Sequence, residues 1–226
     1  SAETVTRYSR QIVRFLQTQN VKAIVIACNT ASAFALETIE KEIDLPILGV
    51  VKPGAEMALK TTRNKRIGVI ATEGTIHSGL YQRLITREDP EVSVYGQPCP
   101  LFVPLVEEGW TKDPVTEVVA RRYLKDLLEK DIDTLIMGCT HYPLLRSLLR
   151  HVVGEKVTLV NPAYETAQAL KRMLAELDLE RDPSDDQEEG KYCFYASDAV
   201  ERLNEFARRI LPYEIVGTRQ IPIEEY

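Results

Sequence analysis

Short apolar runs and amphipathic stretches alternate along this chain. Runs rich in Val and Ile are typical of strands that are covered on both faces. Predicted strands cover residues 21–27, 47–51, 67–71, 92–95, 134–137, 157–160 and 192–196. Apolar residues at helical spacing lie between them. Predicted helices cover residues 1–19, 31–42, 53–60, 76–86, 115–130, 143–151, 165–179 and 199–210. This order predicts an α/β fold with mostly parallel sheets.

Two stretches interrupt the alternation. Residues 97–104 are rich in proline, and we predict irregular structure there. Residues 181–190 are polar and acidic, which predicts a loop or a mobile excursion.

Three predicted strands end in similar polar clusters, each at the start of a helix. The clusters are Cys28-Asn29-Thr30, Thr72-Glu73-Gly74-Thr75 and Cys139-Thr140-His141. Parallel sheets bind their ligands at the carboxyl ends of the strands, so these clusters mark the predicted site. Two of the four cysteines thereby occupy equivalent positions in two similar strand–turn–helix units.

This placement has chemical consequences for the two thiols. A thiol just before a helix meets unpaired backbone N–H groups and the positive end of the helix dipole, which favour the thiolate. Hydroxyl and amide donors beside those N–H groups form a cradle for a carboxylate. These donors are Asn29, Thr30, Thr72, Thr75 and Thr140. His141 lies close enough in sequence to exchange a proton with Cys139 or with the ligand.

A single cysteine at a strand end is usually structural, and Thr or Asn at a helix start is usually only a cap. Two cysteines at matching places favour chemistry instead. Cys99 lies among prolines and Cys193 inside a predicted strand, so both are predicted to serve packing.

Two such thiols could bind a metal, form a redox pair, provide one nucleophile or act as two acid/base groups. Three histidines and scattered cysteines supply no convincing metal-ligand set, and a C-x-x-C redox motif is absent from the sequence. A mechanism with one nucleophilic cysteine would give the second cysteine no role. A mechanism with two acid/base groups on opposite faces of one carbon gives a role to both cysteines.

The composition and charge of the chain argue against nucleic acids and membranes as partners. The net charge is −6, and Lys and Arg are spread among Asp and Glu rather than forming the basic stripe of a nucleic-acid-binding domain. No apolar run approaches the roughly 20 residues of a membrane helix. The first residues are unlike a signal peptide, so we expect reduced thiols in the cytoplasm.

At the two cysteine motifs the sequence resembles the aspartate/glutamate racemase superfamily, and specifically the bacterial glutamate racemases. The matching segments are VIACNTASA (25–33), GVVKPGA (49–55), GVIATEGTIHSGLY (68–81), CPLFVPLVEEG (99–109), GCTHYPLL (138–145) and NPAYETA (161–167). The segment at 99–109 favours glutamate over aspartate or a hydantoin.

The resemblance implies a role for each candidate residue. Cys28 would act on D-glutamate and Cys139 on L-glutamate, without any cofactor or metal. His141 would assist Cys139, and Glu107 would lie near the site as a further acid. The residues that would hold the amino acid are Asn29, Thr30, Thr72, Thr75 and Thr140.

The resemblance also implies an architecture and a cellular role. The fold would be two Rossmann-like α/β domains related by pseudo-twofold symmetry, residues 1–51 plus 162–226 and residues 52–161, with the substrate between them. The enzyme would be a cytoplasmic homodimer that supplies D-glutamate for peptidoglycan. No membrane or nucleic-acid partner is expected, and an interaction with DNA gyrase has only family analogy behind it.

The sequence departs from the family pattern at one end. The family begins with an Asp-Ser-Gly turn and a Pro-Tyr-Gly loop that lie before the segment that opens here. We expect that residues upstream of Ser1 supply them, and that a chain lacking them would be inactive or poorly folded. The alternative functions are a racemase for another amino acid such as aspartate, a thiol-dependent hydrolase or lyase, and a non-catalytic amino-acid-binding protein.

Overall fold

The computed structural model describes residues 1–182, 192–213, 215 and 217–226. The strands are β1 (Ile24–Ile26), β2 (Ile47–Gly49), β3 (Arg66–Ala71), β4 (Ser93–Pro98), β5 (Thr134–Gly138), β6 (Thr158–Val160), β7 (Tyr195–Ala196) and β8 (Arg219–Gln220). The α-helices are α1 (Ala2–Gln17), α2 (Asn29–Phe34), α3 (Leu36–Glu40), α4 (Val51–Thr61), α5 (Glu73–Ser78), α6 (Leu80–Glu88), α7 (Phe102–Glu107), α8 (Pro114–Leu128), α9 (Arg146–Val153), α10 (Pro162–Glu176) and α11 (Val200–Ile210). Two 3₁₀ helices cover Tyr142–Leu145 and Ile223–Glu225.

The strands form three parallel sheets. The largest has the order β4-β3-β5-β6, whereas β1 pairs with β2 and β7 pairs with β8. The predicted α/β fold with parallel sheets is therefore confirmed. The boundaries of the two domains, residues 1–51 plus 162–226 and residues 52–161, stay a prediction.

The four-stranded sheet is covered on both faces, as its apolar strands require. Ile70, Leu135 and Met137 point into a core cluster formed with α7, α8 and α9. Val69 and Ile136 point to the other face, into a cluster with α4 and α6. Each fully buried aliphatic side chain of this kind stabilises the fold by about 1.5–3 kcal/mol.

A third cluster holds β1 in place. Ile24 and Ile26 pack against Val13 of α1 and against Ala35 and Ile39, which lie in the helical stretch after Cys28. The sheet of β1 and β2 therefore has its own core, and β1 leads directly to the first cysteine.

Several predicted boundaries were wrong. The helix predicted at 76–86 is divided at Gly79, whose φ of 65° lies in the left-handed region that ends α5 and favours glycine. The helix predicted at 31–42 begins earlier, at Asn29, and is divided at Ala35.

The irregular stretch predicted at 97–104 was wrong in part. Strand β4 extends to Pro98, because its pairing with β3 continues to the end of that strand. Helix α7 begins at Phe102, whose fully buried ring anchors it, and Pro104 falls in its first turn, where an N–H is not needed.

At the other end of the chain, the strand predicted at 192–196 is limited to Tyr195–Ala196. Of the acidic loop predicted at 181–190, residues 183–190 lie outside the described residues. None of the helices in the described part of the chain combines the length and apolar character of a membrane span.

Candidate active site

Cys28 lies at the start of helix α2, just after β1. It is the N-cap residue, with extended backbone, and its Sγ accepts a hydrogen bond from the N–H of Ala31 at 3.5 Å. The thiol is exposed. Its side chain therefore meets a helix start, as the sequence predicts.

Cys139 directly follows β5 and precedes the 3₁₀ helix at Tyr142–Leu145. Burial raises the pKa of its thiol, and the electrostatic interaction with the nearby Cys28 thiol acts in the same direction. The backbone N–H groups of His141 and Tyr142 and the hydroxyl of Thr140 act in the opposite direction, towards a lower pKa. The N–H groups favour the thiolate, as the sequence predicts, but burial has the larger effect, so the pKa of Cys139 is raised overall.

His141 lies between the thiol and an acid. Its Nδ1 is 3.9 Å from Cys139 Sγ and 3.3 Å from Thr140 Oγ1. Its Nε2 is 3.3 Å from Glu107 Oε1, at the end of α7. The structure thus brings Glu107, His141 and Cys139 into one chain of contacts, although Glu107 is distant from the others in sequence.

Three threonine hydroxyls form a closed triangle between α2 and α5. Thr30 Oγ1 is 2.8 Å from Thr72 Oγ1 and 2.9 Å from Thr75 Oγ1, and the latter two are 3.1 Å apart. Each hydroxyl can rotate to donate to a ligand instead of to its neighbour. The first two of the predicted strand-end clusters therefore meet in space.

Asn29 is held by a residue that was not predicted to contribute. The hydroxyl of Tyr81 on α6 donates to Asn29 Oδ1 at 2.7 Å, and both side chains are buried. Burial raises the pKa of Tyr81, and the charge of Cys139 adds to this effect, so the phenol stays a donor. Because the Asn29 oxygen is occupied, its NH₂ group is left to donate to a ligand.

A cavity of about 350 Å³ lies beside Cys139 and Thr140 and reaches Asn29. Cys28 and the three threonines of the triangle are not among the residues that line it. Most of the remaining wall is apolar. It includes Val25 of β1, Met137 of β5 and several side chains of α10. A cavity of this size with a few polar groups suits a small ligand.

Comparison with known families decides what kind of site this is. Residues 1–170 match the family model described as Asp/Glu/Hydantoin racemase. The chain belongs to this family. It is a racemase, and hence an isomerase.

The relatives of this racemase cover nearly all of it. A glutamate racemase from Geobacter metallireducens is 45% identical over 224 residues, which are 99% of this chain and 82% of the relative. The crystal structure of a glutamate racemase isoform from Bacillus anthracis has a TM-score of 0.92 and 35% identity, over 98% of this chain and 81% of that one. The Francisella tularensis glutamate racemase in complex with D-glutamate has a TM-score of 0.91 and 31% identity, over 100% of this chain and 83% of that one.

The other cysteines of the racemase lie in different surroundings. Cys99 is fully buried, as predicted, and burial raises the pKa of its thiol. Cys193 is exposed and lies before β7, so the prediction that it packs inside a strand was wrong. Among the described residues of the racemase, no three or more His, Cys, Asp or Glu side chains come together as a group that could hold a metal ion.

Proposed function

We propose that this protein interconverts L- and D-glutamate, with Cys28 and Cys139 as its two acid/base groups and no cofactor. One observation carries the proposal. Each thiol follows a strand of a different sheet, and the cavity that Cys139 lines also reaches Asn29, the residue next to Cys28. A racemase needs such a pair, since one face of the α-carbon must lose a proton and the opposite face must gain one.

The reaction from L-glutamate proceeds in two proton transfers. The Cys139 thiolate removes the α-proton and becomes a thiol, leaving a carbanion at the α-carbon. The Cys28 thiol then delivers its proton to the opposite face and becomes a thiolate, which gives D-glutamate. The reverse reaction begins at Cys28. One thiol and one thiolate are present before and after each turnover, so protons and charges balance.

His141 is the group that would accept the proton from the buried thiol of Cys139. A thiol with a raised pKa is protonated at neutral pH and needs a neighbour to accept its proton. Nδ1 of His141 lies towards Cys139 Sγ and is the group that would accept it. Glu107, which contacts Nε2, would stabilise the resulting imidazolium.

The substrate carboxylates would bind the hydroxyl and amide donors next to the two thiols. Glutamate has two carboxylates, and the candidate donors form two groups: Asn29 and Thr140, which line the cavity, and the threonine triangle. They are Asn29, Thr30, Thr72, Thr75 and Thr140. Glutamate is favoured over aspartate because relatives that are 40% or more identical along this chain are glutamate racemases.

The wider setting follows from this activity. D-glutamate is a constituent of bacterial peptidoglycan, and we propose that the protein supplies it in the cytoplasm. The proposed organisation is two domains, residues 1–51 plus 162–226 and residues 52–161, assembled as a homodimer.

The decisive experiment offers each enantiomer of glutamate and of aspartate to the protein in D₂O. We expect inversion of glutamate, with deuterium at the α-carbon of the enantiomer formed. Turnover of aspartate but not of glutamate would show that the proposed substrate is wrong. Consumption of glutamate without α-deuterium would favour a hydrolase or lyase. Binding without turnover would leave an amino-acid-binding protein. Cys193→Ser, which removes an exposed thiol outside the site, is the matched control and should keep full activity.

A further inference from the structure

We propose that one face of helix α11 positions His141 for proton exchange with Cys139, with Arg202 and Phe206 as its positioning residues. This inference rests on the proposed racemase mechanism. The helix lies some sixty residues beyond His141 in the sequence (Val200–Ile210), yet it contacts both His141 and Glu107.

Both oxygens of Glu107 are engaged, and Arg202 holds one of them. Arg202 Nη2 is 2.6 Å from Glu107 Oε2, whereas Oε1 faces His141 Nε2 at 3.3 Å. The α11 residue Arg209 also donates to the Glu107 backbone oxygen, at 2.7 Å. The side chain and the backbone of Glu107 are therefore fixed by the same helix, which sets the direction in which the carboxylate points.

The imidazole of His141 is fixed by a ring from the same helix. Phe206 stacks on it, with 5.6 Å between ring centres and 30° between ring planes. Phe206 is partly buried and packs against the main core cluster, so its position is set by the core. Spacings of three and four residues place Arg202, Phe206 and Arg209 on one face of the helix.

These contacts determine which nitrogen of His141 faces the thiol as an acceptor. A carboxylate oxygen only accepts hydrogen bonds, so Nε2 beside Glu107 carries the hydrogen. Nδ1 is then free of hydrogen and directed at Cys139 Sγ. Arg202 therefore favours the tautomer in which His141 takes the proton of Cys139, without touching the substrate or the thiol.

Kinetic isotope effects separate this role from a general structural one. The two enantiomers have equal free energy, so kcat/KM must be the same in both directions for every variant. If proton transfer at Cys139 becomes slower, the L-to-D and D-to-L reactions still differ in their kinetic isotope effects. With α-deuterated L-glutamate, deuterium is removed at that step and its isotope effect increases. With α-deuterated D-glutamate, deuterium is removed at Cys28 and its isotope effect decreases.

The test compares Arg202→Gln with Arg121→Gln. Arg121 pairs with Glu117 at 2.7 Å on α8, an ion pair of similar length to that of Arg202 with Glu107 at 2.6 Å. Both arginine side chains are exposed, 52% for Arg121 and 71% for Arg202, and both carboxylates are about one third exposed. Loss of a pair with this exposure is expected to lower kcat/KM about fivefold for Arg202→Gln, with the isotope effects diverging as described. Arg121→Gln should match the wild type in rate and isotope effects. Unchanged isotope effects in Arg202→Gln would overturn the inference.

A spectroscopic measurement checks the tautomer directly. The chain has three histidines, and ¹⁵N shifts of the imidazole rings distinguish protonation at Nδ1 from protonation at Nε2. His77→Gln and His151→Gln assign the signals by difference. We expect the Nε2–H form of His141 in the wild type and a mixture in both Arg202→Gln and Phe206→Leu.

Failure of this inference can be told apart from failure of the proposed function. A wild-type-like tautomer in both α11 variants would contradict the positioning role alone, because racemisation by the wild type would persist. An active Cys139→Ser variant would instead contradict the two-thiol mechanism.

Discussion

The two thiols occupy equivalent positions in the sequence but different environments in the structure. Cys28 is exposed, and its thiol accepts a hydrogen bond from the N–H of Ala31. Cys139 is buried and contacts His141, whose other nitrogen faces Glu107. The same strand–turn–helix pattern therefore yields one thiol that is exposed to solvent and one that is buried beside a histidine.

This difference shows that position before a helix does not decide the state of a thiol. The N–H groups around Cys139 act as the sequence predicts, yet burial outweighs them and raises the pKa. Burial depends on how distant helices pack on the strand end. In the proposed mechanism the buried thiol of Cys139 exchanges its proton through the neighbouring His141.

We expect the largest effect from substitution of either thiol, which tests whether Cys28 and Cys139 are both required. We expect Cys28→Ser and Cys139→Ser each to lower racemisation at least about 10³-fold, because loss of an acid/base group typically costs 10²–10⁴-fold. Glutamate affinity, measured by calorimetry, should change little. Substantial activity in either variant would mean that one thiol suffices.

The next effect separates proton exchange from binding. His141→Gln should lower kcat about 10²-fold at similar KM, since the imidazole acts in the proton-transfer step. Thr30→Val should instead raise KM about tenfold with little change in kcat, because in the proposed function its hydroxyl binds a substrate carboxylate, which is present throughout the reaction. Steady-state kinetics measure both. The same pattern in both variants would contradict the division of roles.

A smaller effect concerns the support of Asn29. Tyr81→Phe removes the hydrogen bond to a buried amide oxygen, which should destabilise the protein by about 1–3 kcal/mol. Urea unfolding measures this loss. Thr86→Val, which removes a hydroxyl bonded locally to the Gln82 backbone oxygen on the same helix, is the control. Equal losses in the two variants would argue against a special role for the Tyr81–Asn29 contact.

The smallest effect is a pH dependence that belongs to the buried thiol. The folded state raises the pKa of Cys139, so it holds that proton more tightly than the unfolded chain. This contribution to stability is complete below the ordinary thiol pKa of about 8.5 and is lost as pH rises through the higher folded value. Cys139→Ala should therefore lessen the alkaline decline in the free energy of unfolding. An unchanged decline would contradict the assigned shift.

Much of the site could be predicted because its chemistry is local in sequence. Cys28, Thr72 and Cys139 each follow a recognisable strand. Thr72 and Cys139 follow neighbouring parallel strands, whose ends lie at one edge of the four-stranded sheet. Cys28 follows a strand of a separate sheet, so the contact of Thr30 with Thr72 and Thr75 depends on how the two sheets are placed. Apolar runs predicted the buried strands for the same reason, although their exact ends depended on pairing with neighbours.

The remaining residues could not be predicted from local patterns. Tyr81 reaches Asn29 across 52 positions, and Arg202 reaches Glu107 across 95. An arginine or phenylalanine on an amphipathic helix such as α11 is indistinguishable in sequence from any other. The raised pKa of Cys139 was missed for a similar reason, because the packing that buries the thiol is not encoded next to it.

The threonine triangle has a consequence for ligand selection. Without a ligand, the three hydroxyls satisfy one another, so a ligand must offer a stronger acceptor than a neutral alcohol to separate them. An anionic oxygen meets that demand, whereas an amide oxygen does so weakly. We therefore expect the triangle to discriminate against glutamine, whose side chain ends in a neutral amide, in favour of glutamate, whose side chain ends in a carboxylate.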